Sequence, residues 1–324
     1  MAGLRSAAIA LAAGALIGAG ATTALGADAT VTKIYDIKSD SGQVRYAYGA
    51  AWIPGPSRMY RVTPSGRVTR GTNLPGAIVD FTEGFGRIWV LWEAGRNYYV
   101  AQLNRKNGRV IGSPRRWRTR SFRSDIEAGA GSIWVGGVSN TLFRLNRKTL
   151  RAQAKRLPGG GASQFWVEKG GVYTVVQRNL VRHQASNLRR TTRTTLPAGA
   201  LLGSIAYGGG SFLLGWDRGF VGQVATLTPG AGVTASATLD PASSDVDAVT
   251  VGGGASWVAY DSGPSNGSVF TTYLARYGPG LGTVATAPLP GVQAVNGLAV
   301  GGGSVWVNDG IDGKLYQVDP ASIT

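Results

Sequence analysis

The chain repeats one short pattern seven times along almost its whole length. Each copy has a cluster of glycines or small polar residues, followed by an apolar run with one large side chain at a fixed position. These large residues are Trp52, Trp89, Trp134, Tyr173, Leu213, Trp257 and Trp306. Successive copies are 37, 45, 39, 40, 44 and 49 residues apart. A period near 40 residues restricts the chain to a repeat architecture in which each copy is one supersecondary unit.

Each repeat contains four short segments that are typical of β-strands. One apolar run precedes the glycines, the run with the large residue follows them, and two alternating segments then flank a turn, as in "TLFRLNRKTLRA". Four strands in about 40 residues predict an all-β, seven-bladed β-propeller of four-stranded blades. A β-sandwich and a β-solenoid are the alternatives, but a sandwich does not produce seven aligned copies and solenoid rungs are shorter.

The two ends of the repeat region are predicted to complete one blade together. The last repeat stops at "YQVDPASIT" with three strands, whereas one unmatched candidate strand, "ATVTKIYDI", precedes the first repeat. Pairing of this N-terminal strand into the last blade closes the ring and removes exposed strand edges. We therefore expect residues 28–324 to form a single propeller domain, and we expect a monomer.

Residues 1–27 have the features of a secretory signal peptide. The charged start "MAGLR" is followed by the apolar segment "SAAIALAAGALIGAG" and by small residues suited to cleavage. This predicts a secreted, periplasmic or cell-envelope protein, and a retained membrane anchor is the alternative. The sequence has no cysteine, so its stability cannot depend on disulfides and it has no thiolate metal site.

The repeats "GAGSIWVGGVSNTLFRLNRKTL" and "GGGSVWVNDGIDGKLYQVDP" resemble those of bacterial secreted propellers related to virginiamycin B lyase and to the YVTN-type repeat proteins. The lyase resemblance implies an enzyme that eliminates across a carbon–oxygen bond, with a channel-lining histidine and a magnesium site. The one histidine of this sequence, His183, falls at an apolar position on the predicted third strand of its blade. A general base must reach the proton that it removes, so this histidine is expected in the core.

Polar residues recur at the start of each predicted innermost strand, nine or ten residues before the large side chain. They are Gln43, Asp80, Asp125, Gln164, Ser204, Asp247 and Asn296. We expect them to surround one end of the axial channel and to bind a small ligand, with Trp92 and Trp216 on the same face. The carboxylates Asp80, Asp125 and Asp247 are donors suited to magnesium or calcium. Alternatively, these side chains bond to their own loops and to water.

The positive charge is concentrated in one part of the sequence. Residues 105–193 hold 20 Lys and Arg against three acids, whereas residues 194–324 hold three against eight. This predicts a basic sector on blades 2 to 4 that attracts polyanions. The candidate residues are Arg115, Arg116, Arg118, Arg120 and Arg123. An anionic cell-envelope polymer or a lipid surface is the expected partner, and predicted export disfavours nucleic acid. A merely solvated exterior is the alternative.

These features predict a non-catalytic ligand-binding or interaction module with a polar channel face and a basic sector. The alternative is a metal-dependent lyase or hydrolase that acts at the channel face through Asp80, Asp125 and Asp247. No cofactor is indicated apart from magnesium or calcium.

Overall fold

The computed structural model describes residues 27–38, 42–118, 125–136, 141–157, 164–168, 170–176, 178–197, 204–218, 221–239, 243–263, 270–282 and 284–324. Within these ranges the chain forms seven sheets, each of four antiparallel strands. The strands of blades 1 to 6 are consecutive, and the seventh sheet combines three C-terminal strands with the N-terminal one. The predicted all-β, seven-bladed β-propeller is confirmed.

The strands are numbered in chain order, and each blade begins with its innermost strand. Blades 1 and 2 contain β2 (Arg45–Ala47), β3 (Ala50–Pro54), β4 (Met59–Val62), β5 (Val68–Arg70), β6 (Ala77–Gly84), β7 (Arg87–Ala94), β8 (Asn97–Leu103) and β9 (Val110–Arg118). Blades 3 and 4 contain β10 (Ile126–Gly129), β11 (Ser132–Gly136), β12 (Thr141–Asn146), β13 (Ala152–Arg156), β14 (Phe165–Glu168), β15 (Gly171–Val176), β16 (Asn179–Gln184) and β17 (Arg190–Thr195).

Blades 5 and 6 contain β18 (Ser204–Gly208), β19 (Ser211–Asp217), β20 (Gly222–Thr228), β21 (Gly232–Thr238), β22 (Ser243–Gly252), β23 (Ala255–Ser262), β24 (Thr271–Tyr277) and β25 (Val284–Pro288). Blade 7 contains β26 (Val295–Gly301), β27 (Ser304–Asp309), β28 (Lys314–Val318) and, as its outermost strand, β1 (Val31–Asp36). Two short 3-10 helices, Pro279–Leu281 and Pro320–Ser322, lie in turns.

The N-terminal strand closes the ring as the sequence predicts. Strand β1 pairs antiparallel with β28, with Val31 opposite Val318 and Tyr35 opposite Leu315. The Tyr35 hydroxyl donates to Oε1 of Gln317 at 2.9 Å, and its ring lies 6.3 Å from that of Trp306. The first and last strands of the chain therefore belong to one sheet, and this sheet is not formed by a continuous segment of the sequence.

The core is divided among the gaps between neighbouring blades. Seven clusters of buried apolar side chains occur, one between each pair of adjacent blades. The large residue of each repeat points into one of these gaps, and the five tryptophans at this position are at most 2% exposed. Each of the five indole Nε1 atoms donates to the carbonyl five residues earlier. That carbonyl belongs to the last residue of the innermost strand. The repeated large residue thus both fills the gap and ties two strands together.

The predicted signal peptide lies outside the described residues apart from Ala27, so it stays a prediction. A search of the described ranges finds no helix that is long and apolar enough to cross a bilayer.

Candidate functional site

The predicted polar residues lie in or just before the first half of the innermost strands: Asp80 and Asp247 are the fourth and fifth residues of β6 and β22, and Asp125 immediately precedes β10. Two of the seven are shifted in register. In blades 2 and 5, Asp80 and Ser204 pair with the residue two positions after the large side chain of the next strand. In blades 6 and 7 that pairing position is taken by Ala248 and Gly297. Asp247 and Asn296 are the extra residues of β-bulges, which explains why the count is ten residues in these blades and nine elsewhere. Bulged residues leave the ladder, so these two side chains are positioned differently from the other five.

Asp80 connects two neighbouring blades. It is 2% exposed, and its carboxylate accepts the backbone N–H of Phe81 on its own strand and of Ile126 on β10, both at 2.6 Å. Burial raises the pKa of Asp80 to about 8; Arg45 and the Ile126 amide oppose this shift, while Asp125 and Glu127 add to it. The side chain therefore serves a hydrogen-bonding role at the junction of blades 2 and 3.

The same junction recurs three blades later with a hydroxyl in place of the carboxylate. Oγ of Ser204 accepts the backbone N–H of Val249 at 3.0 Å, and Val249 occupies the same repeat position in blade 6 as Ile126 does in blade 3. A polar residue at the start of an innermost strand can thus satisfy an amide of the next blade, which is otherwise a buried donor. For these two positions the observed bonds are to protein backbone.

A charged network joins the innermost strands of blades 1, 2 and 3. Nη2 of Arg45 on β2 donates to Oε1 of Glu127 on β10 at 2.8 Å, and Nη1 lies 3.9 Å from Oε2 of Glu83 on β6. Blades 1 and 3 are not neighbours, so the guanidinium must reach across the inner rim of blade 2, where Oγ1 of Thr82 also donates to Glu127. The innermost strands here line the channel with opposite charges that neutralise each other.

The ionisation of these groups is mutually dependent. Burial disfavours the charge of Arg45, but Glu127, Glu83 and Asp80 outweigh it and hold the pKa of the guanidinium above its ordinary value. Burial raises the pKa of Asp125 to about 6, and Glu127 raises it further while Arg45 lowers it. Asp80 and Asp125 were predicted from the sequence, whereas Arg45, Glu83 and Glu127 were not. Two of these, Arg45 and Glu127, lie opposite the large residue of the adjacent strand, a repeat position that could have located them.

A second acidic group lies at blades 5 to 7. Burial raises the pKa of Asp247 to about 8, and the carboxylates of Asp261, Asp245 and Asp217 raise it further. Oδ2 of Asp247 is buried without a hydrogen-bond partner in the described part of the chain. Asp217 accepts the N–H of Val246 at 2.8 Å. The pKa of Asp247 is affected by the other carboxylates of this second group, whereas the pKa of Asp80 is affected by Asp125 and by the Arg45 network.

The three carboxylates predicted to hold a metal are therefore divided between two groups. Asp80 and Asp125 belong to the network of blades 2 and 3, and Asp247 to the group of blades 5 to 7. Among the described residues no set of three or more His, Cys, Asp or Glu side chains is close enough to hold a metal ion. Gln43 and Gln164 each have a buried Oε1 without a partner in the same ranges, and Asn296 is exposed.

The two tryptophans predicted on the channel face are packed in the gaps between blades. Trp92 is 1% exposed and stacks on Tyr99 with ring centroids 5.2 Å apart. Trp216 is 5% exposed and belongs to the cluster between blades 4 and 5. The Nε1 atoms of both are buried and have no hydrogen-bond partner among the described residues. In this they differ from the five tryptophans of the repeat position, which all donate.

His183 is a core residue on β16, the third strand of blade 4, as expected. It is fully buried; its Nε2 lies 2.9 Å from Oγ1 of Thr174, and its Nδ1 lies 3.2 Å from the carbonyl of Leu188. Burial lowers the pKa of the imidazole, which favours its neutral form. The histidine therefore joins the second strand of the blade to the turn after the third.

The predicted basic residues lie along β9, the outermost strand of blade 2, and beyond its end. Arg115 and Arg116 are exposed, and Nε of Arg116 donates to Oδ1 of Asn97 at 3.0 Å. Arg118 ends the strand and pairs with Asn97 through the backbone. Arg120 and Arg123 lie outside the described residues. None of these arginines that the structure describes with a side chain forms an ion pair with a described carboxylate.

Comparison with known proteins shows that the chain is similar in fold to solved structures. No protein-family model matches the sequence, and none of the curated proteins matches it. Among solved structures, a chain of the mitotic checkpoint complex superposes with a TM-score of 0.67 at 10% identity, covering 98% of this chain and 99% of that one. The WD40 β-propeller domain of Doa1 gives 0.61 at 8% identity over 92% and 96%. BamB from Moraxella catarrhalis gives 0.52 at 13% identity over 90% and 99%.

At these identities the likeness is one of fold alone. The resemblance to the virginiamycin B lyase and YVTN-type propellers stays a prediction.

Proposed function

We propose that the protein is a non-catalytic interaction module, secreted or held in the cell envelope, that presents one or more binding surfaces on a closed β-propeller. Two findings support this. The chain shares its fold with a propeller found in a crystallised multiprotein complex and with the WD40 domain of Doa1. The sequence's one histidine is held by two core hydrogen bonds rather than facing the channel. The proposed location depends on the predicted signal peptide.

The observation that carries the proposal is the set of exposed cations on an outermost strand. Arg115 and Arg116 lie on β9, which has no fifth strand to cover it, and neither forms an ion pair with a described carboxylate. We assign Arg115, Arg116, Arg118, Arg120 and Arg123 to the binding of an anionic cell-envelope polymer. Such binding is long-range and is screened by salt.

The channel end is proposed as a separate site for a small polar ligand or for magnesium or calcium. The buried acceptors Gln43 Oε1, Gln164 Oε1 and Asp247 Oδ2 support this because none has a partner among the described residues. Melting in the presence of each cation tests it. A rise in Tm that saturates and is abolished by Asp247→Asn supports the site, and a rise that this substitution leaves intact contradicts it.

The binding of polyanions is tested with long-chain inorganic polyphosphate as the probe. We expect salt-dependent binding that weakens by at least about tenfold between roughly 50 and 200 mM salt. Replacing Arg115, Arg116 and Arg118 by Gln should weaken it at fixed salt. The matched control replaces three exposed cations elsewhere, Lys33, Arg70 and Arg218, by Gln. Equal losses in both variants, or binding that is insensitive to salt, would contradict the assignment to β9.

A further inference from the structure

One edge of the ring carries two sets of turns from each of blades 1 to 6, and from blade 7 it carries one turn and the segment that follows β28. Because strands within a blade are antiparallel, the turn between the first and second strands and the turn between the third and fourth lie at the same edge. This edge is opposite to the channel end at which the innermost strands begin. We call the third-to-fourth turns of blades 1 to 4, residues 63–67, 104–109, 146–151 and 184–189, the basic turn face.

Three of these turns have the same backbone geometry. In each, the first residue's N–H donates to the carbonyl five residues later, and the fifth residue's N–H donates back to the first residue's carbonyl. The fifth residue is left-handed in all three: Gly108, Leu150 and Leu188 have φ of 67°, 54° and 58°. Side chains at equal positions in these turns therefore project in equal directions from neighbouring blades.

The equal positions carry cations. The sixth residue of each turn is Arg109, Arg151 or Arg189, and blade 1 closes its shorter turn with Arg67. Blades 2 and 3 add two more cations each. The eight, all exposed, are Arg67, Arg105, Lys106, Arg109, Arg147, Lys148, Arg151 and Arg189. None forms an ion pair within the ranges that the structure describes.

The remaining blades provide an internal comparison. The corresponding turns of blades 5 and 6, residues 228–232 and 278–282, and the segment after β28 in blade 7, residues 319–323, contain no Lys or Arg. The same fold therefore forms these turns without cations. The charge on blades 1 to 4 is not required by the turn, so it points to a role outside the domain's own stability.

Aromatic residues are combined with these cations on the same edge. The guanidinium of Arg105 lies 5.4 Å from the ring centroid of Tyr48, and that of Arg147 lies 4.8 Å from Phe85. In each pair the aromatic residue comes from the first-to-second turn of the preceding blade. Blade 4 has Ala185 at the arginine position, and the preceding blade has Ala130 at the aromatic position. The two residue types are thus present together or absent together.

These aromatic residues occupy a backbone conformation that does not favour them. Tyr48 and Phe85 have φ of 53° and 54°, in the left-handed region that suits glycine. In blade 5 the corresponding turn has Gly209 and Gly210, with φ of 63° and 91°. Phe85 is nevertheless 39% exposed, so burial does not explain it. Tyr48 is partly buried. Phe85, strained and exposed beside cations that form no ion pair among the described residues, indicates a surface that meets a partner.

We propose that the basic turn face docks on the surface of an anionic phospholipid bilayer. This rests on the proposed role in binding anionic partners, and it adds a second surface, separate from β9, with a bilayer as its partner. The cation-bearing turns lie at one edge of four neighbouring blades, so they can meet a planar anionic surface together. Lys and Arg near an anionic bilayer each strengthen binding, and aromatic residues favour the headgroup region.

Vesicle co-sedimentation tests the proposal. The protein used is residues 27–324, which contain every described strand, and the vesicles are phosphatidylcholine with or without about 30% phosphatidylglycerol. We expect binding to the anionic vesicles only. Replacing Arg109, Arg151 and Arg189 by Gln should weaken it by about 100-fold, roughly fivefold for each cation.

A matched control lies on the outermost strands of blades 1, 3 and 4. Arg70, Arg156 and Arg193 are exposed on β5, β13 and β17, three to five residues beyond the turn arginines Arg67, Arg151 and Arg189. At about 3.3 Å per residue they lie roughly 10–17 Å further along, more than the ~8 Å Debye length at physiological salt. Replacing these three by Gln removes the same charge and should change vesicle binding by less than about threefold.

A second variant tests the aromatic contribution without the charge. Phe85→Asn places a residue that tolerates the left-handed conformation, so the fold should be retained while vesicle binding weakens several-fold. Circular dichroism melting verifies the folding of each variant.

Each other outcome overturns the docking proposal. If the turn variant binds anionic vesicles as the unaltered protein does, or if the control loses as much, the face is not the docking surface. Equal binding to neutral vesicles would indicate adsorption through apolar groups. If the protein binds polyphosphate but not anionic vesicles, the partner is a polymer, and the proposed function stands while this inference fails.

Discussion

Two tryptophans three residues apart on β7 show how one repeat position differs from its neighbour. Trp89 and Trp92 are both 1% exposed and face opposite sides of blade 2. Nε1 of Trp89 donates to the carbonyl of Gly84 at 3.0 Å, whereas Nε1 of Trp92 has no partner among the described residues. The Trp89 bond is partly buried, and loss of a donor leaves its partner carbonyl less well satisfied, so the two indoles should contribute differently to stability.

We predict that Trp89→Phe lowers the free energy of unfolding by about 1–2 kcal/mol more than Trp92→Phe does. Both substitutions remove similar volume from a packed gap, so their cavity costs largely cancel in the comparison. Urea unfolding of the two variants and the unaltered protein measures the difference. If Trp92→Phe lowers the free energy of unfolding more than Trp89→Phe does, the indole N–H of Trp92 contributes the stronger interaction and the prediction is wrong.

At the scale of elements, the closing strand β1 is held by alternate side chains. Tyr35 is 9% exposed and bonds to Gln317, while its neighbour Ile34 is 56% exposed. Tyr35→Ala should therefore lower the free energy of unfolding by about 3–5 kcal/mol, as expected for loss of a buried aromatic ring. Ile34→Ala on the same strand is the control and should stay within about 0.5 kcal/mol. Chemical denaturation distinguishes them, and similar effects would mean that β1 is not docked as described.

The elements also show what sequence could and could not predict. Seven blades and their closure were predicted from the spacing of the repeated tryptophans and from the unmatched strand before Gly42. Residue type and spacing can both be read directly from the sequence. The bulges at Asp247 and Asn296 were not predicted, because an extra residue in a ladder changes the hydrogen bonds without a distinctive side chain. The contact of Arg45 with Glu127 was missed because the two residues are 82 positions apart in sequence and meet only when blades 1 to 3 are stacked.

At the scale of the whole molecule, stability depends on where the chain is cut. The segments next to the first and last strands meet: the N–H of Thr30 donates to Oγ of Ser322 at 2.9 Å, and the N–H of Asp319 donates to the carbonyl of Thr30. The ring cannot open between blades 7 and 1 alone without extracting β1 from a sheet. A ring whose ends fell between two blades would lack this backbone pairing and could part along a gap held by side chains.

Two circular permutants, opened one strand apart, test this. In both, a linker of about six Gly and Ser residues joins Thr324 to Ala27. The first is opened at 229–231, so that β21 begins the chain and β18–β20 end it, and blade 5 is shared between the ends. The second is opened at 240–242, between β21 and β22, so that no blade is shared. In both permutants the linker makes blade 7 continuous, so that blade no longer joins two chain ends. Only the first permutant has another blade whose strands come from both new ends.

We expect the second permutant to unfold faster than the first by about tenfold or more, which corresponds to roughly 1.4 kcal/mol less stabilisation of the closed ring against opening. The first should unfold at a rate close to that of the natural chain. Dilution into guanidinium chloride, followed by tryptophan fluorescence, measures both rates. If the two permutants unfold alike, sharing a blade between the chain ends does not govern the ring's resistance to opening, and the side-chain packing in the seven gaps is sufficient to hold it closed.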